Sequence, residues 1–198
     1  MPQNHNLRAD IQFPAQLCDQ HLVFNTTWGL FSPREIDEGT ELLLRYLPEF
    51  KPGERIIDLG CGYGPIGVSL AAANPQSEII MLDKDFVAVD YANKNAQQNR
   101  LNNARAILSN GLSAVNGETF DAVISNVPAK VGKEMWSIML EDAYRGLKPG
   151  GSVWFVSING LRAYFKRTMQ QQFGNYKKVK QSRNYVIHRA VKGNQVRS

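Results

Sequence analysis

The stretch Asp58–Gly67, with the sequence DLGCGYGPIG, joins a short apolar run to a helical pattern through closely spaced glycines. The residues RII before it are rich in β-branched side chains and predict a buried strand. Pro65 in the following PIGVSLAAA is typical of the first turn of a helix. Gly60, Gly62 and Gly64 allow the backbone to approach a ligand closely and direct the helix N-terminus towards it.

Strand and helix patterns alternate on both sides of this loop from residue 54 onwards. The predicted strands are RIIDLG, SEIIMLD, ARAILS, FDAVIS and SVWFVSI, and the predicted helices are PIGVSLAAA, FVAVDYANKNAQQNRL, GKEMWSIMLEDAYRGL and LRAYFKRTMQQQF. This order predicts an α/β fold with a doubly wound, mostly parallel sheet. The segments YKKVKQ and NYVIHRAV are expected to pair as a C-terminal antiparallel hairpin, with Lys178 and Lys180 on one face and Lys177 on the other.

Composition places the chain among single-domain proteins without a membrane span or a metal site. It has 198 residues, 43% of them hydrophobic, and no apolar run approaches the roughly 20 residues of a membrane helix. The polar N-terminus lacks the apolar region of a signal peptide. Cys18 and Cys61 form no disulfide framework, and the three histidines lack metal-ligand spacing. We therefore expect a soluble, cytoplasmic protein, and the oligomeric state is left open.

The charges are distributed unevenly along the chain. Residues 143–198 contain 12 Lys and Arg residues and no acidic residue, whereas residues 1–142 contain 11 basic and 18 acidic residues. The two parts carry net charges of +12 and −7, which give the overall +5. Such a split favours an anionic partner for the C-terminal part, most commonly nucleic acid. A solvated basic surface is the alternative.

Acidic residues follow the first two predicted strands. The glycine loop also fits the dinucleotide pattern G-x-G-x-x-G, but Asp58 places a carboxylate where a pyrophosphate would be repelled, and it favours a cationic, amine-bearing ligand. Asp83 lies 19 residues after Gly64. An acid at this position can accept hydrogen bonds from two ribose hydroxyls, and a helix cap is its alternative role.

Amide side chains follow the third and fourth predicted strands. Asn110 and Gly111 end the third strand, where an amide could meet an adenine edge or simply form a turn. Asn126 and Pro128 end the fourth strand in the stretch SNVPAK. Because ligands in parallel sheets bind beyond the carboxyl ends of the strands, we expect all four strand ends to form one site.

Taken together, these motifs resemble class I S-adenosylmethionine-dependent methyltransferases. More narrowly, the chain resembles the small-domain methyltransferases that include ribosomal RNA guanine-N2 methyltransferases. The family has G-x-F-S and D-x-G-T/S before its first strand, which Trp28–Leu44 (WGLFSPREIDEGTELLL) matches, and Asn-Pro-Pro-x-x-x-Gly after its fourth, which Asn126–Gly132 (NVPAKVG) matches more loosely. The resemblance covers residues 24–198, which we assign to one Rossmann-like methyltransferase domain, and leaves residues 1–23 as an N-terminal extension.

The resemblance implies a cofactor and two residues that act on the methyl acceptor. S-adenosylmethionine is the implied cofactor. The implied cofactor-binding residues are Phe31, Asp58, Gly60, Gly62, Gly64, Asp83, Asn110, Gly111 and Asn126. In relatives the Asn side chain and the carbonyl after it accept hydrogen bonds from the target amino group, which implies this role for Asn126, with Pro128 holding the loop rigid.

The implied reaction is methylation of an exocyclic amine, most often guanine N2 in ribosomal or other structured RNA. Trp28 and Phe31 are candidates for base stacking, and Lys130 and Lys133 for phosphate contacts. Val127 and Ala129 depart from the family motif, which has proline and often an aromatic residue at these positions. A protein glutamine methyltransferase and a non-catalytic RNA-binding factor that holds the cofactor are the alternatives.

Overall fold

The computed structural model describes residues 10–193, which form nine strands and five α-helices. The strands are β1 (Ile11–Leu17), β2 (Gln20–Thr26), β3 (Arg55–Leu59), β4 (Glu78–Asp83), β5 (Ala104–Leu108), β6 (Phe120–Asn126), β7 (Leu147–Ile158), β8 (Lys177–Gln181) and β9 (Tyr185–Val191). The helices are α1 (Glu38–Tyr46), α2 (Pro65–Ala73), α3 (Phe86–Gln98), α4 (Lys133–Gly146) and α5 (Arg162–Phe173).

Seven strands form one sheet in the order β5-β4-β3-β6-β7-β9-β8. The pairs among β3 to β7 are parallel, and β9 runs antiparallel to both β7 and β8. This arrangement confirms the predicted doubly wound sheet and its C-terminal hairpin. Alternate side chains of the central strands enter two hydrophobic cores, one beneath α1, α2 and α3 and the other beneath α4 and α5.

An N-terminal hairpin that the sequence patterns did not indicate packs on the first of these cores. Strands β1 and β2 pair antiparallel, and Leu17, Leu22 and Phe24 are buried in the same cluster as α2 and α3. The predicted boundary between the N-terminal extension and the domain, at residues 23 and 24, falls inside β2. The hairpin packs as part of the layer that covers the sheet. Asn95 of α3 joins it to the glycine loop, since its amide bonds the backbone of Asn25 and the carbonyl of Tyr63.

A β-bulge in β8 overturns the predicted arrangement of three lysines. Lys178 pairs with His188, but Lys180 pairs with Ile187, so one extra residue is inserted between the two lysines. Paired residues share a face, which places Lys178 and Lys180 on opposite faces rather than together. The Lys180 ammonium lies 5.5 Å from the centre of the Tyr46 ring on the α1 side.

Within residues 10–193, no helix is long and apolar enough to cross a membrane. No group of three or more His, Cys, Asp or Glu side chains in the same range is arranged to hold a metal ion.

Candidate active site

The carboxyl ends of β3, β4, β5 and β6 lie side by side at one edge of the sheet. Asp58 pairs with Ile124 of β6, and Asp83 pairs with Leu108, two residues before Asn110. The structure therefore brings the four predicted strand ends to a single edge, and the glycine loop after β3 lies in the middle of it. This is the candidate active site.

The glycine loop exposes its backbone at this edge. Gly60 and Gly62 have φ angles of +72° and +56°, and a Cβ added at either would meet nothing within 4 Å. The backbone N–H groups of Gly60 and Cys61 donate to the carbonyl of Leu82, which fixes the loop to β4. Gly64 is the N-cap of α2, also with a positive φ, so the helix N-terminus begins within the loop.

Asp58 is a fully buried carboxylate, and one of its oxygens accepts no hydrogen bond from residues 10–193. Its Oδ2 accepts a hydrogen bond from the backbone N–H of Gly67 at 2.8 Å, and its Oδ1 has no partner among the described residues. Burial raises the pKa of Asp58 to about 7, and the nearby charge of Asp83 acts in the same direction. A cationic group placed against Oδ1 would satisfy this oxygen and favour its ionised form.

Asp83 braces the glycine loop. Its Oδ2 accepts from the backbone N–H of Gly62 at 2.9 Å, and its Oδ1 accepts from that of Asp85 at 3.0 Å. The cap of α3 is Asp85, whose side chain accepts from the Val87 N–H. Since a carboxylate has about four lone-pair sites, Asp83 can still accept hydrogen bonds from a ligand.

Two exposed apolar side chains flank Asp83 and were missed in the sequence. Phe86 is 69% exposed at the start of α3, and Leu108 is 51% exposed at the end of β5. Asn110 is exposed beyond Leu108, and Gly111 adopts a positive φ of +58° where a Cβ would lie 2.0 Å from Asp142. This part of the edge combines apolar surface with an amide, which suits a flat heteroaromatic ring.

Asn126 ends β6 with its amide orientation fixed. The amide nitrogen donates to Asp37 Oδ2 at 2.8 Å and to Thr40 Oγ1 at 3.0 Å. The amide oxygen accepts from no group within residues 10–193. Asn126 therefore presents a hydrogen-bond acceptor at the carboxyl edge of the sheet.

The backbone after Asn126 is held at two points. The N–H of Val127 donates to the carbonyl of Val156 at 2.9 Å, and the Val127 side chain is buried in the core beneath α4. Proline at this position could not donate that bond. The indole N–H of Trp136 donates to the Pro128 carbonyl at 2.9 Å. Val127 thus anchors the loop through a backbone hydrogen bond that the proline of the family motif cannot donate.

The loop between β2 and α1 carries the exposed aromatic residues. Phe31 is 66% exposed and Trp28 47%, with the Arg34 guanidinium 4.5 Å from the Trp28 ring centre. The hydroxyl of Tyr63 in the glycine loop lies 3.3 Å from the carbonyl oxygens of both Ser32 and Glu35, which share its single proton. Tyr63 therefore ties the loop that carries Phe31 to the glycine loop.

Basic residues surround the same edge. Lys130 and Lys133 follow β6, Arg162 begins the helix after β7, and Arg183 lies in the turn between β8 and β9. All four are exposed. Of the basic residues that were expected to meet an anionic partner, Arg162 and Arg183 lie at this edge, while Lys177 lies further down the sheet, opposite Arg189.

Comparison with known proteins identifies the family to which this fold belongs. The model of the methyltransferase small domain family matches residues 21–189. The chain is 33% identical over 169 residues to ribosomal RNA large subunit methyltransferase G of Streptomyces avermitilis, covering 83% of this chain but 44% of that protein. It is 32% identical over 180 residues to the uncharacterized protein YbxB of Bacillus subtilis, covering 89% of each.

Among solved structures, the T. thermophilus 16S rRNA N2 G1207 methyltransferase in complex with AdoMet and guanosine superposes with a TM-score of 0.84. The two are 27% identical, and the match covers 92% of this chain and 50% of that one. The chain thus spans about half the length of this protein and of the S. avermitilis relative.

The fold is that of the S-adenosylmethionine-dependent methyltransferases. The chain belongs to the methyltransferase small domain family. The residues at the edge fit the cofactor of this class, because Asp58 offers a buried oxygen that has no partner in the described part of the chain and the glycine loop offers open backbone.

Proposed function

We propose that the chain methylates an exocyclic amine of RNA, and that guanine N2 in ribosomal RNA is the target. The observation that carries this proposal is the orientation of Asn126, whose amide hydrogens are bound within the protein while its oxygen has no donor among residues 10–193 and is left to accept. An acceptor at this position suits an amino group, which has hydrogens to donate. A carbonyl or ring nitrogen without hydrogens would be repelled.

Different residues of the edge are proposed to bind different parts of the cofactor. Asp58 is suited to a cationic amine, Asp83 to ribose hydroxyls, and Phe86 with Leu108 to the faces of an adenine ring. S-adenosylmethionine, when bound, supplies a methyl group already activated by its sulfonium, so no strong base is required of the protein. The chain's contribution is position and electrostatics.

Asn126 is proposed to hold the target nitrogen at the cofactor edge. Its Oδ1 accepts one amine hydrogen. This bond orients the nitrogen lone pair out of conjugation with the guanine ring, so that it can face the methyl group. The carbonyl of Val127 is a second candidate acceptor, since the loop is fixed on both sides of it by Val156 and Trp136. Phe31 and Trp28 are proposed to stack on the target base or its neighbours.

The RNA substrate is supported by the relatives and by charge. Two proteins that the chain resembles are named as ribosomal RNA methyltransferases, and one of them is described with guanosine bound and with N2 as its target. The exposed residues Lys130, Lys133, Arg162 and Arg183 surround the edge that Asn126 occupies, as expected for phosphate contacts.

The test is methyl transfer from labelled S-adenosylmethionine to ribosomal RNA or to a protein fraction from cells that lack the gene. We expect label in RNA, and Asn126→Ala should lower kcat at least roughly tenfold with little effect on cofactor affinity. The same substitution at the exposed Asn116, in the loop before β6, is the control. Label in protein alone, or an Asn126→Ala variant as fast as the parent, would overturn the proposal.

A further inference from the structure

Asp37 is the centre of a hydrogen-bond network that reaches Asn126 from two distant parts of the chain. Its Oδ2 accepts from Asn126 Nδ2 and from the N–H groups of Gly39 and Thr40, so it also caps α1. Its Oδ1 accepts from the Tyr185 hydroxyl at 3.0 Å, at the start of β9. The carboxylate is thereby held on both oxygens before any ligand binds.

The charge of Asp37 determines which way the Asn126 amide points. A carboxylate only accepts hydrogen bonds, so at 2.8 Å it must face the amide nitrogen and would repel the amide oxygen. Thr40 Oγ1 lies 3.0 Å from the same nitrogen and takes the second amide hydrogen. Rotating the amide by 180° would break the bond to Asp37 and bring two oxygens into contact, and the Thr40 hydroxyl would have to change from acceptor to donor.

The close packing around this network depends on a glycine. A Cβ at Gly39 would lie 2.8 Å from both Asp37 Oδ2 and the Tyr185 ring, so only glycine lets Tyr185 reach Asp37. Burial together with the charge of Asp37 raises the pKa of Tyr185 to about 12, so its hydroxyl keeps the proton that it donates. Asn184 beside it donates to Glu38 of α1 at 2.9 Å, which reinforces the contact between α1 and the C-terminal hairpin.

We propose that Asp37 and Thr40 are positioning residues that fix Asn126 with its oxygen towards the methyl acceptor, and that Tyr185 holds Asp37 in place for this purpose. The consequence is selectivity for a hydrogen-donating acceptor, namely an amine. The inference rests on the proposed function in one respect, that Asn126 contacts the acceptor. The orientation of the amide is a property of the free protein and can be measured without substrate.

The first experiment measures the Asn126 side chain by NMR of ¹⁵N-labelled free protein. The Asn126 NH₂ signals are assigned by their loss in Asn126→Ala. Thr40→Val keeps the shape of a buried residue but removes the oxygen, so we expect one NH₂ proton of Asn126 to shift and to exchange with water at least roughly tenfold faster. Thr40→Ser, which restores a hydroxyl, should return both signals towards the parent. Unchanged Asn126 signals in Thr40→Val would overturn the inference.

The second experiment is a double-mutant cycle on methyl transfer. Thr40→Val should lower kcat by about five- to tenfold with KM for S-adenosylmethionine unchanged, and Thr40→Ser should recover most of the loss. In the Asn126→Ala background Thr40→Val should have no further effect, because the residue acts through Asn126. An equal loss of kcat in both backgrounds would mean that Thr40 only supports the fold, and would overturn the inference.

Tyr185→Phe provides a second variant that removes only the hydroxyl donating to Asp37. It should reduce kcat by about twofold to fivefold in the parent background and have no effect when Asn126 is alanine. If Tyr185→Phe lowered kcat equally in the parent and in the Asn126→Ala background, Tyr185 would not act through Asn126 and the inference would be overturned. If Asn126→Ala itself retained full activity, the proposed function would fail, while the NMR result would still decide the orientation of the amide.

Discussion

Replacing Asp58 with asparagine should stabilise the free protein at high pH and leave its stability nearly unchanged at low pH. The carboxylate is fully buried, with one oxygen bonded to Gly67 and the other without a partner among residues 10–193. Burial raises its pKa from 3.8 to about 7. Between these two values the folded protein holds a proton that the unfolded chain has lost, so raising the pH through this range destabilises the parent.

The magnitude follows from the pKa difference. Each pH unit between the two pKa values removes about 1.4 kcal/mol, so the parent should lose about 3 kcal/mol relative to the variant between pH 5 and pH 8. Below about pH 4 the two should be close, because Asn can accept from Gly67 as the protonated carboxyl does. At pH 5 the parent should already be about 1.5 kcal/mol less stable than the variant, and at pH 8 about 4 kcal/mol less stable. Other titrating groups are common to both proteins and cancel in the comparison.

Urea unfolding of both proteins at pH 5 and pH 8 measures this difference. Asp85→Asn is the matched control, because Asp85 is an exposed carboxylate that caps α3 and asparagine caps a helix equally well. The Asp58→Asn variant should also bind S-adenosylmethionine at least roughly tenfold more weakly at pH 8, since a cation near residue 58 loses its counter-charge. A stability difference that does not change with pH would refute the reasoning.

Three further outcomes are expected. Asp83→Ala should weaken the binding of S-adenosylmethionine and its demethylated product by about 1–3 kcal/mol in calorimetry, with no heat from NAD in either protein; equal affinity in the variant would exclude a ribose contact. Asn95→Ala should lower the free energy of urea unfolding by about 3 kcal/mol, because it leaves buried backbone groups of the hairpin and glycine loop unpaired; a decrease below about 1 kcal/mol would contradict this. Changing Arg162 and Arg183 to Gln should reduce the slope of log RNA affinity against log salt by roughly 0.7–0.9 for each phosphate that is no longer bound. Changing Lys177 and Lys178 to Gln should leave this slope unchanged. If the two pairs had equal effects, the carboxyl edge would not be the surface that binds RNA.

Local patterns predicted the sheet because four of its five parallel strands, β3, β4, β6 and β7, contain buried apolar runs, and all five are separated by strong turn and helix signals. The glycine loop and Asp83 were predicted for the same reason, since they follow such runs at fixed spacing. The hairpin β1–β2 gave weaker signals. Pro14 interrupts the first strand, and its turn uses Cys18 and Asp19 with positive φ angles of 50° and 59° rather than Asn-Gly.

The parts of the site that the sequence did not predict depend on contacts between distant residues. Asp37 and Thr40 were seen as part of a family motif, but 86 or more residues separate them from Asn126. Tyr185 lies 148 residues after Asp37 and meets it only because β9 pairs with β7 and brings its first residue to the carboxyl edge. No glycine or other turn residue in β8 indicates the bulge. Regular alternation of side chains along a strand therefore predicted, wrongly, that Lys178 and Lys180 share a face.

Mass spectrometry of nucleosides from total RNA tests the central claim most directly. Cells that lack the gene are compared with the same cells carrying the parent gene or Asn126→Ala. We predict that N2-methylguanosine in ribosomal RNA falls in the deletion, returns with the parent gene and stays low with Asn126→Ala. An unchanged set of methylated nucleosides in all three, with S-adenosylmethionine still bound by the purified protein, would contradict the account.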